Sequence, residues 1–353
     1  MKYIIGRNVW LLAVICCLLA ACSSDQSETR TDNGNGSSKG SLLQVAAAYT
    51  TNYQTINQMR AVTEGYSEYT PTSDLAIGLF VLPQDNPQPE DFVAKLIRYN
   101  NHAWHSQIMV ETLNYTICGY MPKSITSSVS ISAGNILLTL SDIPAVIAED
   151  VCFVTGIKDG TKDGAGDLLQ GNFKYVGNDD NNYICLMMDH LFASVKFNFS
   201  MDAEYSTLRT IKLKSMQLQT TKESVTATIT LIPNTIGTDP VSDITYSSSG
   251  SSSSATFFEK AAGIDINTDA ATIRDDYSCC FVPGLSNSLT LVCTYDVYDR
   301  NGNKIRECTA TNKLPDLSAV RGESWTINLN VAPTYLYQLS DPDLDNPSIT
   351  IEN

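Results

Sequence analysis

Beyond residue 40 the chain alternates apolar and polar positions in short runs, and no segment sustains a 3.6-residue period. The runs predict strands at Leu42–Tyr49, Leu75–Leu82, Trp104–Leu113, Asn135–Leu140, Asp150–Gly156 and Tyr183–Met188. Further runs predict strands at Ala193–Phe199, Thr210–Leu218, Val225–Leu231, Ser288–Tyr298, Lys304–Ala310 and Ser324–Val331. In the last of these Trp325, Ile327, Leu329 and Val331 share one face. Asn301-Gly302 between two such runs predicts a tight hairpin. Many short strands with turn signals between them predict an all-β chain of antiparallel sandwiches. Gly/Asp/Asn-rich stretches on either side of Phe173–Val176 suggest a division there. The expected domains are 41–178 and 179–353, the second including tail strands. The serine run at 247–254 predicts an exposed loop.

The first forty residues follow a different pattern. Lys2 and Arg7 precede an apolar stretch, Val9–Ala21, of 13 residues, too short for a permanent membrane helix. It ends on small residues and then Cys22. That arrangement predicts a lipoprotein signal at 1–21, with the Cys22 thiol as the site of lipidation. Acyl chains such as palmitate would hold the protein to a membrane. Residues 23–40 carry no large apolar side chain and predict a disordered tether (22–40 with the cysteine), reaching roughly 25 Å. Ser23 does not resemble an inner-membrane retention signal, which leaves a surface-exposed lipoprotein of the outer membrane as the expectation.

The formal charge is −15, and loss of Lys2 and Arg7 with the signal takes it to about −17. So acidic a chain is a poor match for nucleic acid. Seven cysteines remain after the signal and Cys22 are set aside: Cys118, Cys152, Cys185, Cys279, Cys280, Cys293 and Cys308. The number is odd, CxxC spacing is missing, and most lie in apolar runs. Most are expected to be buried small hydrophobes, a disulfide between two of them is the alternative that sequence does not assign, and zinc is not expected. The acidic tail Asp341–Asn346 lacks the turn glycine of an EF-hand loop and meets Pro347, so calcium is not expected there. Asp159, Asp163 and Asp167 fit a solvated turn better than a calcium site. Only His102, His105 and His190 are present, with no G-x-S-x-G elbow. No catalytic residue, metal site or cofactor is predicted.

A longer pattern resembles a known family. Asp167-Leu168-Leu169 is followed by Met188-Asp-His190-Leu-Phe-Ala193-Ser-Val195, then Phe281-Val282-Pro283, then Gly322-Glu-Ser-Trp325-Thr-Ile327-Asn-Leu329-Asn-Val331. In this order they resemble the fimbrillin family, the pilins and pilin-like lipoproteins of Bacteroidales. Met188 stands where that family has Phe, and Trp325 where it has Tyr. The resemblance covers about residues 165–335 and the lipoprotein start. His190 itself reads as a core or interface histidine that satisfies backbone groups.

The resemblance implies transthyretin-like domains and a subunit of a cell-surface fimbria that supports adhesion. It also implies maturation by a protease that cuts after an arginine near the start of the first domain and removes the first strand. A strand from another fimbrial subunit then fills the opened groove. Met59-Arg60-Ala61 makes Arg60 the expected cut, with Arg30 second, although a cut at Arg30 spares the strand Leu42–Tyr49. Tyr335–Leu339 and Ser348–Glu352 either donate to a neighbour or pack on their own domain. Expected partners are other fimbrial subunits, the outer membrane through Cys22, and a host or bacterial surface receptor. The runner-up is a surface glycan-binding lipoprotein of an uptake system, which needs an exposed aromatic platform.

Overall fold

A computed structural model describes residues 40–49, 76–100, 103–161, 164–168, 173–178, 182–233, 240–266, 268, 278–285, 288–331 and 348–352. Among them the chain is almost entirely strand, arranged as four sheets around two apolar cores. Cys22, Arg30 and Arg60 lie outside the described residues, as do Tyr335–Leu339 and the acidic tail.

The first sheet has ten strands. Its path runs β4 (Ala103–His105), β3 (Lys95–Asn100), β2 (Ala76–Pro83), β6 (Asn114–Met121), β10 (Cys152–Thr161), β13 (Asn182–His190), β1 (Ser41–Tyr49) and β5 (Met109–Val110). Beside it β11 (Gly164–Leu168) pairs with β10, and β12 (Lys174–Val176) with β6. The first core joins it to a four-stranded sheet ordered β17 (Val241–Ser249), β16 (Ser224–Leu231), β8 (Asn135–Pro144) and β7 (Thr126–Ser132). Phe80, Tyr120, Phe153 and Phe173 are its largest wholly buried side chains.

The second core contains Phe197, Phe199 and Phe281. One sheet around it runs β23 (Ser348–Glu352), β22 (Ser324–Val331), β14 (Ala193–Met201), β19 (Ser278–Phe281) and β9 (Val146–Ile147). The other runs β18 (Ser253–Asp265), β15 (Thr210–Thr220), β20 (Thr290–Tyr298) and β21 (Lys304–Lys313). One short helix, α1 (Ala203–Ser206), starts where the Asp202 carboxylate accepts from the amides of Glu204 and Tyr205. Among the described residues no helix is long and apolar enough to cross a membrane.

The chain passes between the two cores several times. β13, beyond residue 178, lies in the first sheet, and β9 lies in a sheet of the second core. β15 and β18 pair over the second core, and their continuations β16 and β17 pair in the first sandwich. A single antiparallel ribbon thus serves both sandwiches. Where it passes between them, the Ser253 hydroxyl donates to the Lys222 carbonyl at 2.7 Å and the Glu223 amide to the Ser249 carbonyl at 3.1 Å. The serine run is therefore strand up to Ser249 and again from Ser253, with a turn only at 250–252. Cross-strand pairing overrides its loop-like composition. Gly250, at φ +74°, makes that turn, and a Cβ there would lie 2.2 Å from the Glu223 Cβ.

Two pairings depart from the expected antiparallel pattern. β14 runs parallel to β22, from Ser194 opposite Ser324 to Met201 opposite Val331. β1 runs parallel to β13. Parallel neighbours need no tight turn between them, so their order in sequence is free. That freedom allows β1, the first described strand, to lie beside β13, which opens at Asn182.

Candidate functional site

β1 reads SLLQVAAAY, and strand alternation assigns its side chains to two faces. Leu43 and Val45 enter the first core at 0% and 4% exposure, while Leu42 faces solvent at 44%. Burying two such side chains is worth about 1.5–3 kcal/mol each. The ladder to β13 runs over seven positions, from Leu43 opposite Asn182 to Tyr49 opposite Met188. On its other side β1 meets β5 only at Ser41 and Leu42, and the Leu43 amide donates to the Ile108 carbonyl at 2.8 Å. Beyond this corner β13 is the one described strand that forms a hydrogen-bonded ladder with β1.

A buried polar clamp fixes its beginning. Asn182 is wholly buried, and its side-chain amide donates to the Ser41 hydroxyl and, at 2.7 Å, to the Asn178 carbonyl. Its side-chain oxygen accepts the Tyr175 hydroxyl at 2.6 Å and the Asn178 amide at 2.8 Å. The Ser41 hydroxyl in turn donates to the Asn178 carbonyl at 2.9 Å. A buried amide without such partners would be costly, so the clamp defines where β1 begins. Nothing in the polar run around Asn182 distinguishes it from its neighbours, and the sequence reading missed it.

A second cluster gathers where β13 passes into β14. Arg321 donates to the Asp189 carboxylate, donates to the His190 carbonyl at 3.3 Å, and lies over the Phe153 ring at 5.6 Å. The Tyr246 hydroxyl, on the ribbon, donates to the Leu191 carbonyl at 2.8 Å. Burial pushes its phenol up, against the charge of Arg321. His190 Nδ1 lies 2.8 Å from an Asp150 carboxylate oxygen and 3.8 Å from the Cys152 sulfur. Burial opposes charge on the imidazole, but the Asp150 charge and hydrogen bond, with help from Asp189, outweigh it and raise its pKa. The histidine thus faces a carboxylate and a thiol, where the sequence suggested that it would serve backbone groups.

Those three side chains do not make a nucleophile–base relay. A relay uses one ring nitrogen for the nucleophile and the other for the orienting acid. Here both Cys152 and Asp150 face Nδ1, and Cys152 is wholly buried. None of the seven cysteines forms a disulfide among the described residues; six are buried and Cys308 is half-buried. Burial alone pushes the Cys118 thiol up to about 12, and Cys279, Cys280 and Cys293 are raised as well. This is the behaviour expected of small core hydrophobes.

The tail strand β23 pairs antiparallel with β22, from Ser348 opposite Asn330 to Glu352 opposite Thr326. It sits on the chain's own second sandwich.

No protein-family model matches the chain, and no curated protein matches it. Solved structures similar to it are Bacteroides proteins named for cell adhesion or fimbriae. A candidate cell adhesion protein from Bacteroides uniformis is 11% identical, with TM-score 0.42 over 89% of this chain and 99% of that one. A fimbrial protein from Bacteroides vulgatus is 11% identical, with TM-score 0.41 over 88% and 97%. A candidate cell adhesion protein from Bacteroides fragilis is 13% identical, with TM-score 0.39 over 89% and 97%. Identity this low transfers no activity.

Proposed function

We propose that the protein is a structural subunit of a cell-surface fimbria, lipidated at Cys22 and carried to the outer membrane before assembly. A cut after Arg60 releases β1 with its lipid. The vacated groove beside β13 then takes a strand from another subunit. Of the proposed segments, 41–178 and 179–353, the second also supplies β13, β16 and β17 to the first sandwich. No catalytic step belongs to this reading.

The supporting observation is the seat of β1. Its ladder is parallel, two of its side chains fill the core, and one described neighbour holds most of its length. A strand from elsewhere can use the same main-chain pairing and side-chain pockets. An emptied groove would expose apolar surface and an unpaired edge, both of which favour refilling. A glycan-binding surface receives no comparable support, because every described aromatic side chain is buried or half-buried.

Mass spectrometry of the mature N-terminus on intact cells tests the reading. A lipid-free chain starting at Ala61 is the expected result. A lipidated Cys22 as the only N-terminus would remove the shaft role.

A further inference from the structure

We propose that Asp150, Cys152 and His190 bind one borderline divalent cation of the zinc class. The inference is independent of the fimbrial reading. Cys152 and His190 are direct cross-strand partners in the β10–β13 pair, so their side chains share a face. Asp150 precedes Cys152 by two residues and reaches the same spot. The three donor atoms lie within 4.8 Å of one another.

The distances suit a chelate. The Nδ1–carboxylate separation is 2.8 Å, the Nδ1–sulfur separation 3.8 Å, and the third side at most 4.8 Å. A triangle with those sides has a circumradius of about 2.4 Å at most, close to the roughly 2.0–2.3 Å of zinc bonds to nitrogen, oxygen and sulfur. Both neighbours lie beside the same ring nitrogen, so once Nδ1 gives up the proton it shares with Asp150 the three donor atoms can reach one ion. Sulfur, imidazole and carboxylate together favour zinc or copper over calcium or magnesium. The His190 and Asp150 side chains are 32% and 25% exposed, so the cluster can be reached from solvent. The ion would tie β10 to β13 at the point where the chain leaves the first sandwich.

Sequence spacing gave no sign of this site. The ligands come as D-x-C and a histidine 38 residues after the cysteine, and only the strand pairing brings them together.

The test uses the full-length chain in detergent, stripped with a chelator and titrated with Co²⁺ and then Zn²⁺. One Co²⁺ per chain is expected, with a thiolate-to-cobalt charge-transfer band that Zn²⁺ abolishes. Cys152→Ser should remove the band. His190→Ala and Asp150→Asn should each weaken binding by more than the roughly tenfold that loss of an outer-shell partner can cost. Cys308→Ser should leave it unchanged. If Cys152→Ser fails to fold, the two half-exposed positions decide the matter. Absence of the band in the unsubstituted chain would overturn the proposal. So would a band that persists in folded Cys152→Ser, or one indifferent to both other substitutions.

Discussion

Asn182 donates its side-chain amide to the Ser41 hydroxyl, 141 residues earlier in the chain. That contact joins β1 to the strand it lies beside, and its Asn182 end is wholly buried. Asn182→Ala would remove the side-chain oxygen that accepts from the Tyr175 hydroxyl and the Asn178 amide. We expect a loss of about 1–3 kcal/mol in denaturant unfolding, the usual scale for breaking buried hydrogen bonds. Amide hydrogen exchange should rise first at Leu43, next to the lost contact.

Leu43 and Leu42 are chain neighbours on opposite faces of β1. Leu43→Ala should cost about 2–5 kcal/mol, because it opens a cavity in the first core. Leu42→Ala should change stability by no more than about 0.5 kcal/mol. Equal effects would mean that β1 is not seated as described.

Gly250 and Gly134 both have positive φ, but their surroundings differ. A Cβ on Gly134 meets nothing within 4 Å, whereas one on Gly250 strikes Glu223. Gly134→Ala should therefore cost only the left-handed penalty of about 1–2 kcal/mol. Gly250→Ala should cost more and loosen the ribbon between the sandwiches. Paired thermal denaturation curves measure the difference.

On the outer face of the second sandwich, Lys214 approaches Glu307 at 2.6 Å and Lys304 approaches it at 3.4 Å. The Lys214 hydrogen bond and charge, reinforced by Lys304, hold the Glu307 carboxyl below its usual pKa. A depressed carboxylate adds stability above its unfolded pKa and loses it as pH falls through the folded one. A carboxyl NMR titration should find Glu307 protonating late on acidification, and Lys214→Ala should return it toward the ordinary value. The Glu307 side chain is 49% exposed, so added salt should reduce the shift.

Legibility in the sequence followed burial. Where one face is solvated the alternation was plain, as in β22 with Ile327, Leu329 and Val331 inside. β6 is buried on both faces from Tyr115 to Met121 and contains Gly119, so it showed no alternation and was missed. β7 was missed for the opposite reason, since five of its seven residues are Ser or Thr. The predicted Trp104–Leu113 strand is interrupted into β4 and β5. β15 holds its apolar face only because a bulge near Ser215 resets the register between Leu213 and Met216. β1 and β13 were each visible as apolar runs, but their parallel pairing was not. Local pattern cannot name a partner some 140 residues away. For the same reason the Asp150–Cys152–His190 cluster appeared only with the β10–β13 register.

The central claim is that β1 can leave its groove and be replaced. Limited digestion of the purified chain with a trypsin-like protease tests it most directly, with the fate of residues 41–49 and the size of the products followed together. The account predicts cleavage after Arg60, loss of the fragment carrying Ser41–Tyr49, and growth of multimers as other chains fill the groove. A cleaved chain that keeps the fragment and stays monomeric would contradict it.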